Sequence, residues 1–224
     1  MKQLTKSAIL LPCMLVMTSA IAFAQQPAGA PQSARDRIFV SAASGASFGP
    51  ETAAVFAGEF AERINRSNAQ AYLTLSYHEN LMDSGIRDDL ALLSTGLTNR
   101  TGIPWHLSGR DRGVALVVGA KYLFGQSSVR PYIGGGGGII NVKRTINDPL
   151  VGDVTSAVLT EFGIGESSLT STALTRPLVE ANVGIAIAAG RATYVDFGYR
   201  FRRAFHLTEP LDFGQFSAAI GVRF

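Results

Sequence analysis

The chain holds one cysteine, Cys13, one tryptophan and three histidines among its 224 residues. A lone thiol closes no intramolecular disulfide and builds no thiolate zinc site. The histidines, His78, His106 and His206, fall in three separate segments, which argues against a metal centre. Charge is sparse as well: 20 basic residues stand against 17 acidic ones, with no basic tract of the kind that tracks nucleic acid. Beyond the N-terminus there is no apolar run long enough for a spanning helix. If this chain enters a membrane, it does so as strands.

The exception is the front end. Lys2 and Lys6 make a positive start, Ala8 to Met17 a short apolar core, and Ala22-Phe23-Ala24 an A-x-A site before Gln25. Residues 1–24 read as a cleaved secretory signal peptide, too short for a retained anchor. Cys13 does not make a lipoprotein signal, because Pro12 precedes it where a small residue is needed. Cleavage removes that cysteine and two of the basic residues, leaving a net charge of +1. Residues 25–36 are rich in Pro, Gln, Ala and Ser without periodicity, and read as a disordered lead-in. Residues 37–224 form the folded body.

Apolar residues in that body recur at period two, the spacing of strands. Phe216, Ala218, Ile220, Val222 and Phe224 alternate with Gln215, Ser217, Ala219, Gly221 and Arg223. Eight such segments are expected: 37–48, 52–64, 69–78, 113–124, 129–146, 177–188, 192–205 and 216–224. The first has two small-residue faces and does not reveal its outward side. The second, rich in Ala, Glu and Arg, has a helix as competitor. The connectors alternate in length: short at 65–68, 125–128 and 189–191, long at 79–112 and 147–176. Within the first long connector, Asp88 to Leu93 suits a helical turn.

The two faces decide the class. One is aliphatic and aromatic, with rings toward strand ends at Tyr77, Tyr122, Phe124, Tyr132, Tyr199, Phe201 and Phe224. The other carries Glu59, Arg63, Lys121, Asn141, Lys143, Glu180, Asn182, Asp196, Arg200, Arg202 and Arg223. A soluble ligand-binding barrel has the opposite pattern, apolar within and polar outside. The expected fold is therefore all-β: an eight-stranded antiparallel transmembrane β-barrel. Short turns then lie on the periplasmic side and long loops outside the cell. A barrel of this size is only wide enough for side chains to fill. Glu59, Arg63, Lys121, Glu180, Asp196, Arg200, Arg202 and Arg223 are accordingly expected to interlock as a lumen charge network.

The stretch Arg130-Pro131-Tyr132-Ile133 with Gly134 to Gly138, the stretch Val195-Asp196-Phe197-Gly198-Tyr199-Arg200-Phe201, and the last strand ending in Phe224 resemble the small outer-membrane barrels of the OmpA transmembrane-domain, OmpX and opacity-protein type. The resemblance implies a bacterial outer-membrane location. It also implies that Phe216, Ile220, Val222 and Phe224 form the signal read by the barrel-assembly machinery.

The Gly134–Gly138 run lacks the Lys-Ser/Thr of a phosphate loop and is followed by strand residues, so it reads as room for large side chains opposite. Lipid-A-modifying barrel enzymes would need a histidine beside a serine with an orienting acid. The nearest material is Ser76, Ser108 and Glu209 with the three histidines, and no local motif joins them. No catalytic residues, cofactor or metal are expected, and no nucleic-acid partner. The expected role is envelope integrity or surface recognition, with outer-membrane lipid and lipopolysaccharide as surroundings and an extracellular ligand met through loops 79–112 and 147–176. Arg112, Lys143, Arg144 and Arg176 near the outer rim suit lipopolysaccharide phosphates. A small pore is the alternative, and a lipid-A-modifying enzyme the third reading.

Overall fold

The computed structural model describes residues 37–49, 52–64, 67–82, 84–154, 173–205 and 210–224. The expected signal peptide, the lead-in, His206, Glu209 and much of the loop at 147–176 lie outside the described residues. Strands β1 (Ile38–Phe48), β2 (Thr52–Arg63), β3 (Ala69–His78), β4 (Ser108–Leu123), β5 (Val129–Asp148), β6 (Ala173–Ala188), β7 (Thr193–Ala204) and β8 (Leu211–Arg223) each pair antiparallel with their chain neighbours. β1 pairs β2 on one side and β8 on the other, which closes the sheet. Closure removes every free edge from the barrel body, the condition for a sheet to stand in lipid. A two-residue strand, Gly152–Asp153, folds back on the outer end of β5.

Side chains alternate as the period-two pattern requires. Leu73, Leu75, Val118, Ile133, Val183 and Phe197 are among the many large apolar residues that face outward and stay exposed. Exposed aromatics cluster toward strand ends at Phe48, Tyr77, Tyr122, Phe124, Phe201 and Phe224. Segment 52–63 is a strand rather than a helix, with Phe56 and Phe60 outward and Val55, Glu59 and Ala61 inward. The first strand, whose faces the sequence left open, turns Phe39 and Ser47 inward and Ile38, Val40 and Phe48 outward.

Two regions depart from expectation. The hairpin of β4 and β5 overshoots the rest of the barrel, with pairing that continues to Ser108 opposite Asn147. Along all of β5 the even-numbered side chains face in. Asn141 and Lys143 therefore point outward and Tyr132 inward, the reverse of the reading from sequence. The cause is height: beyond the bilayer an outward face need not be apolar, so polarity there no longer reports direction. Nor does the Gly134–Gly138 run carry side chains that would reveal it.

The second departure is α1 (Ser84–Thr101), an 18-residue helix where one helical turn was expected. Ile86, Leu90, Leu93 and Leu97 recur at helical spacing and pack with Met82, Leu107, Ile146 and Val154. Gly102 at φ 67° ends the helix, and its N–H donates to Thr98 O at 2.9 Å. Among the described residues no helix is long and apolar enough to cross a membrane.

Candidate functional site

Lumen residues arrive on separate strands, because an eight-stranded barrel turns every second side chain toward one axis. Glu59 on β2 is the hub. It accepts from Lys121 Nζ on β4, from Arg200 Nη2 on β7 at 2.6 Å and from Thr74 Oγ1 on β3 at 3.3 Å. Arg200 also donates from Nη1 to Thr74 Oγ1 at 3.0 Å and lies 3.9 Å from Glu180. Glu180 accepts from Arg202 Nε at 2.7 Å, from the Tyr72 hydroxyl at 2.9 Å and from Asn182 Nδ2 at 3.1 Å. Lys121, Glu59, Arg200, Glu180 and Arg202 thus form one chain of alternating charge across the barrel. Alternation is what makes five buried ions tolerable: each has an opposite neighbour, four make further hydrogen bonds, and Lys121 Nζ lies 5.1 Å from the centre of the Tyr132 ring.

The other predicted lumen residues stand apart from this chain. Asp196 accepts a hydrogen bond from the Tyr132 hydroxyl at 2.8 Å. Arg223 donates to the carbonyls of Arg191 and Gly190 in the turn between β6 and β7. Arg63 lies at the inner rim, its guanidinium 5.8 Å from the ring of Phe39. Tyr72 and Tyr132 carry roles that charge alone did not flag, and their signal in the sequence is glycine one and two strands along, Gly119 and Gly136 for Tyr72 and Gly184 and Gly198 for Tyr132. A Cβ on Gly136 would come 2.9 Å from the Tyr72 hydroxyl, and one on Gly198 would come 2.5 Å from that of Tyr132. The rings fill space that glycines leave.

Beside the upper charges and above them the lumen turns apolar. Ala115, Val117, Ile140, Val142, Leu178 and Phe213 are buried together with Leu81. Higher still, Asp111 and Arg144, register partners on β4 and β5, form a two-pronged ion pair with both contacts at 2.8 Å. α1 closes the top. Its Ser94, Thr98 and Thr101 hydroxyls donate to carbonyls four residues back and accept from Leu107 N, Trp105 N and Trp105 Nε1 at 2.9, 2.9 and 3.1 Å. The Asp148 carboxylate at the end of β5 accepts from the N–H groups of His106 at 2.9 Å, Leu150 at 2.8 Å and Val151 at 3.3 Å. Those donors, His106 first, hold its carboxyl below the ordinary aspartate range. Helix and hairpin are thereby tied into one cap.

The sequence-level candidates for catalysis are also located. Ser76 Oγ lies 3.2 Å from His78 Nε2, both buried inside the barrel. Arg202 Nη1 donates to the two of them, at 2.7 and 2.9 Å. The histidine nitrogen that would act as base already accepts from a guanidinium. Ser108 Oγ donates to Asn147 O at 3.2 Å, and His106 is exposed on the cap. Among the described residues no cluster of three metal-ligating side chains forms.

No family model matches the chain, and no curated protein matches it in sequence. Solved structures do match in shape. Neisserial surface protein A superposes with a TM-score of 0.53 at 16% identity, over 86% of this chain and 98% of that one. The fold is that of the small outer-membrane barrels. Two further matches are the N-terminal β-barrel domain of Pseudomonas aeruginosa OprF, with a TM-score of 0.48, 10% identity and coverage of 85% and 100%, and Ail, the attachment invasion locus protein of Yersinia pestis, with 0.46, 11%, and 84% and 97%. At such identities the likeness is one of fold alone.

Proposed function

We propose that this protein is an integral outer-membrane barrel of structural or recognition role, whose working surface is the α1 cap with the adjoining loop between β5 and β6. The observation that carries this reading is the filled lumen: a buried ion chain and a cluster of apolar side chains pack together inside the barrel, and α1 lies against the hairpin that rises above them. Such an interior gives no path for bulk solute, while the outward face of exposed aliphatic and aromatic side chains suits lipid alone. The signal peptide expected at residues 1–24 supplies export, and the long loops then lie outside the cell. The occupied base at His78 favours a protein without chemistry of its own. Neisserial surface protein A is, by its name, a surface protein, and the same placement suits the present chain.

A second reading, a narrow ion path, draws on one specific feature. Both amide atoms of buried Gln215, together with His78 Nδ1 and Arg202 Nη2, have no hydrogen-bond partner among the described residues. Such atoms attract water, and a thread of water through the lumen would carry ions.

One set of measurements separates the readings. Outer-membrane fractionation with a heat-shifted gel band tests the barrel and its location. Planar-bilayer recording of the folded protein tests the path: steady conductance at the native fold would replace the recognition reading by the pore. Deleting residues 84–101 with the barrel still folded should abolish binding to a surface or host ligand, and unchanged binding would remove the cap from the proposal.

A further inference from the structure

Among the described residues nothing packs on the outer face of α1. Asp88, Leu92, Gly96 and Arg100 follow at four-residue intervals on the side of the helix away from Leu90 and Leu97, and all four are exposed. From Leu90 to Asn99 the helix carries no charge. Leu92 is 72% exposed, and lipid does not account for it, because Asp88, Asp89 and Arg100 stand on the same face and belong in water. Gly96 is the second anomaly. Glycine inside a helix weakens it relative to alanine. Nothing within one copy needs the gap, since a Cβ there would meet no atom within 4 Å. A leucine without a cover and a gap without a filler stand one turn apart.

We propose that this face docks a second copy of the same chain, with the two α1 helices antiparallel. The inference rests on the reading of the cap as the working surface and names its partner. In an antiparallel pair, the register that sets Asp88 and Asp89 beside Arg100 of the second copy also lays Leu92 over Gly96, because the pairs 88 and 100, and 92 and 96, share one midpoint. Each contact then occurs twice across a two-fold axis. Helical spacing puts Arg87 on the opposite side, so it does not offset the two acids on this face. The missing side chain at Gly96 lets the helices approach closely where Leu92 crosses. One 18-residue helix face offers less than the roughly 800 Å² per partner of a stable soluble complex. The pair is therefore weak in solution and depends on both copies being held in a membrane, the same one or two that face each other.

Without the expected signal peptide the chain has no cysteine, so a dye can be attached through Q126C in the inner turn, away from the cap. Donor and acceptor copies folded into the same lipid vesicles read pairing in one membrane by energy transfer above random mixing. Clustering of separately loaded vesicles reads pairing between facing membranes. The wild type should give one signal or the other. R100D and D88R/D89R each place like charges at both ends of the helix, and each should need at least about ten-fold more protein per lipid for the same signal. An equal mixture of the two should recover the wild-type signal. G96L changes no charge and should weaken pairing to a similar extent. A folded wild type that gives neither signal would overturn the proposal, and so would G96L and R100D pairing like the wild type. A mixture no better than its components would overturn the antiparallel register. If a charge variant gives no heat-shifted folded band, L92S is judged by the criterion set for G96L. A chain that stays single, yet loses surface binding when residues 84–101 are deleted, overturns the pair and keeps the cap reading. Unchanged binding after that deletion fails the cap reading itself.

Discussion

Arg202 and Glu180 meet at 2.7 Å with both side chains wholly removed from solvent, at 0% exposure each. The two are register partners on β6 and β7, and with Arg200 reaching Glu59 on β2 and Lys121 reaching it from β4 the lumen ions brace four strands against one another. Breaking such a pair costs more than the pair itself contributes, because the surviving ion stays buried without its partner. Glu180→Ala is expected to lower stability by about 3–5 kcal/mol. Glu180→Leu combined with Arg202→Met should lose much less. Urea unfolding in lipid bilayers, followed by tryptophan fluorescence and gel shift, checks both. Equal losses for the single and the double variant would mean that packing, not charge, is what matters at this site.

Glycine placement yields a contrast of the opposite kind. A Cβ on Gly184 would collide with the Tyr132 hydroxyl and come 2.5 Å from the Phe197 carbonyl, whereas one on Gly58 would meet nothing nearer than 4.0 Å. Gly184→Ala should therefore cost about 1–3 kcal/mol, as overpacking does in a filled interior. Gly58→Ala, on the lipid side, should fall within about 0.5 kcal/mol of wild type. The same unfolding measurement reads both. A tolerated Gly184→Ala would show that Tyr132 moves aside freely and that its bond to Asp196 is weakly held.

How much of this was legible beforehand depends on what each residue had to satisfy. β3 was legible to the residue, Ala69–His78, because lipid on one side and a filled lumen on the other enforce strict alternation. Glu59, Lys121, Glu180, Arg200 and Arg202 could be placed inside because a charge facing lipid is too costly. The same rule misled at Asn141 and Lys143, which stand above the bilayer where the outward face of the hairpin is free to be polar. α1 was concealed by its Ser, Thr, Asn and Gly content, all poor helix formers. Those hydroxyls bond to carbonyls one turn back and to the returning strand, contacts that exist only once the loop has folded. Tyr132 was read as a girdle ring because nothing local distinguishes such a ring from one that fills a gap opposite glycines.

The cap should respond to pH through Asp148. Its carboxylate is favoured in the folded cap by three N–H donors, so its folded pKa lies below the unfolded one. A lowered pKa means the stabilisation is present in full above the unfolded value and is lost as pH falls through the folded one. The amides of His106 and Leu150 should be protected from hydrogen exchange at neutral pH and lose protection in acid, at a pH below that of an ordinary aspartate. Asp148→Asn should abolish the pH dependence and loosen the loop at every pH, with the barrel strands still protected. Loss of protection in the strands at the same pH would place the response in the lumen rather than the cap.

Phe224 separates stability from assembly. Its ring faces outward at 68% exposure, and its backbone is tied to the start of β1: its N–H donates to Ile38 O at 2.9 Å, and its carbonyl accepts from Arg37 N at 2.7 Å. Truncating the ring leaves both of those bonds and removes only lipid-facing area. Phe224→Ala should therefore change unfolding free energy by no more than about 1 kcal/mol in bilayers. If the terminal residues Phe216, Ile220, Val222 and Phe224 are read during assembly, the same variant should accumulate several-fold less folded barrel in the outer membrane of cells. Measuring both on one preparation decides between two roles. A stable protein that inserts poorly marks Phe224 as a recognition residue. A protein that inserts normally would make its ring one lipid contact among many, with closure of the barrel resting on the backbone ladder between β1 and β8.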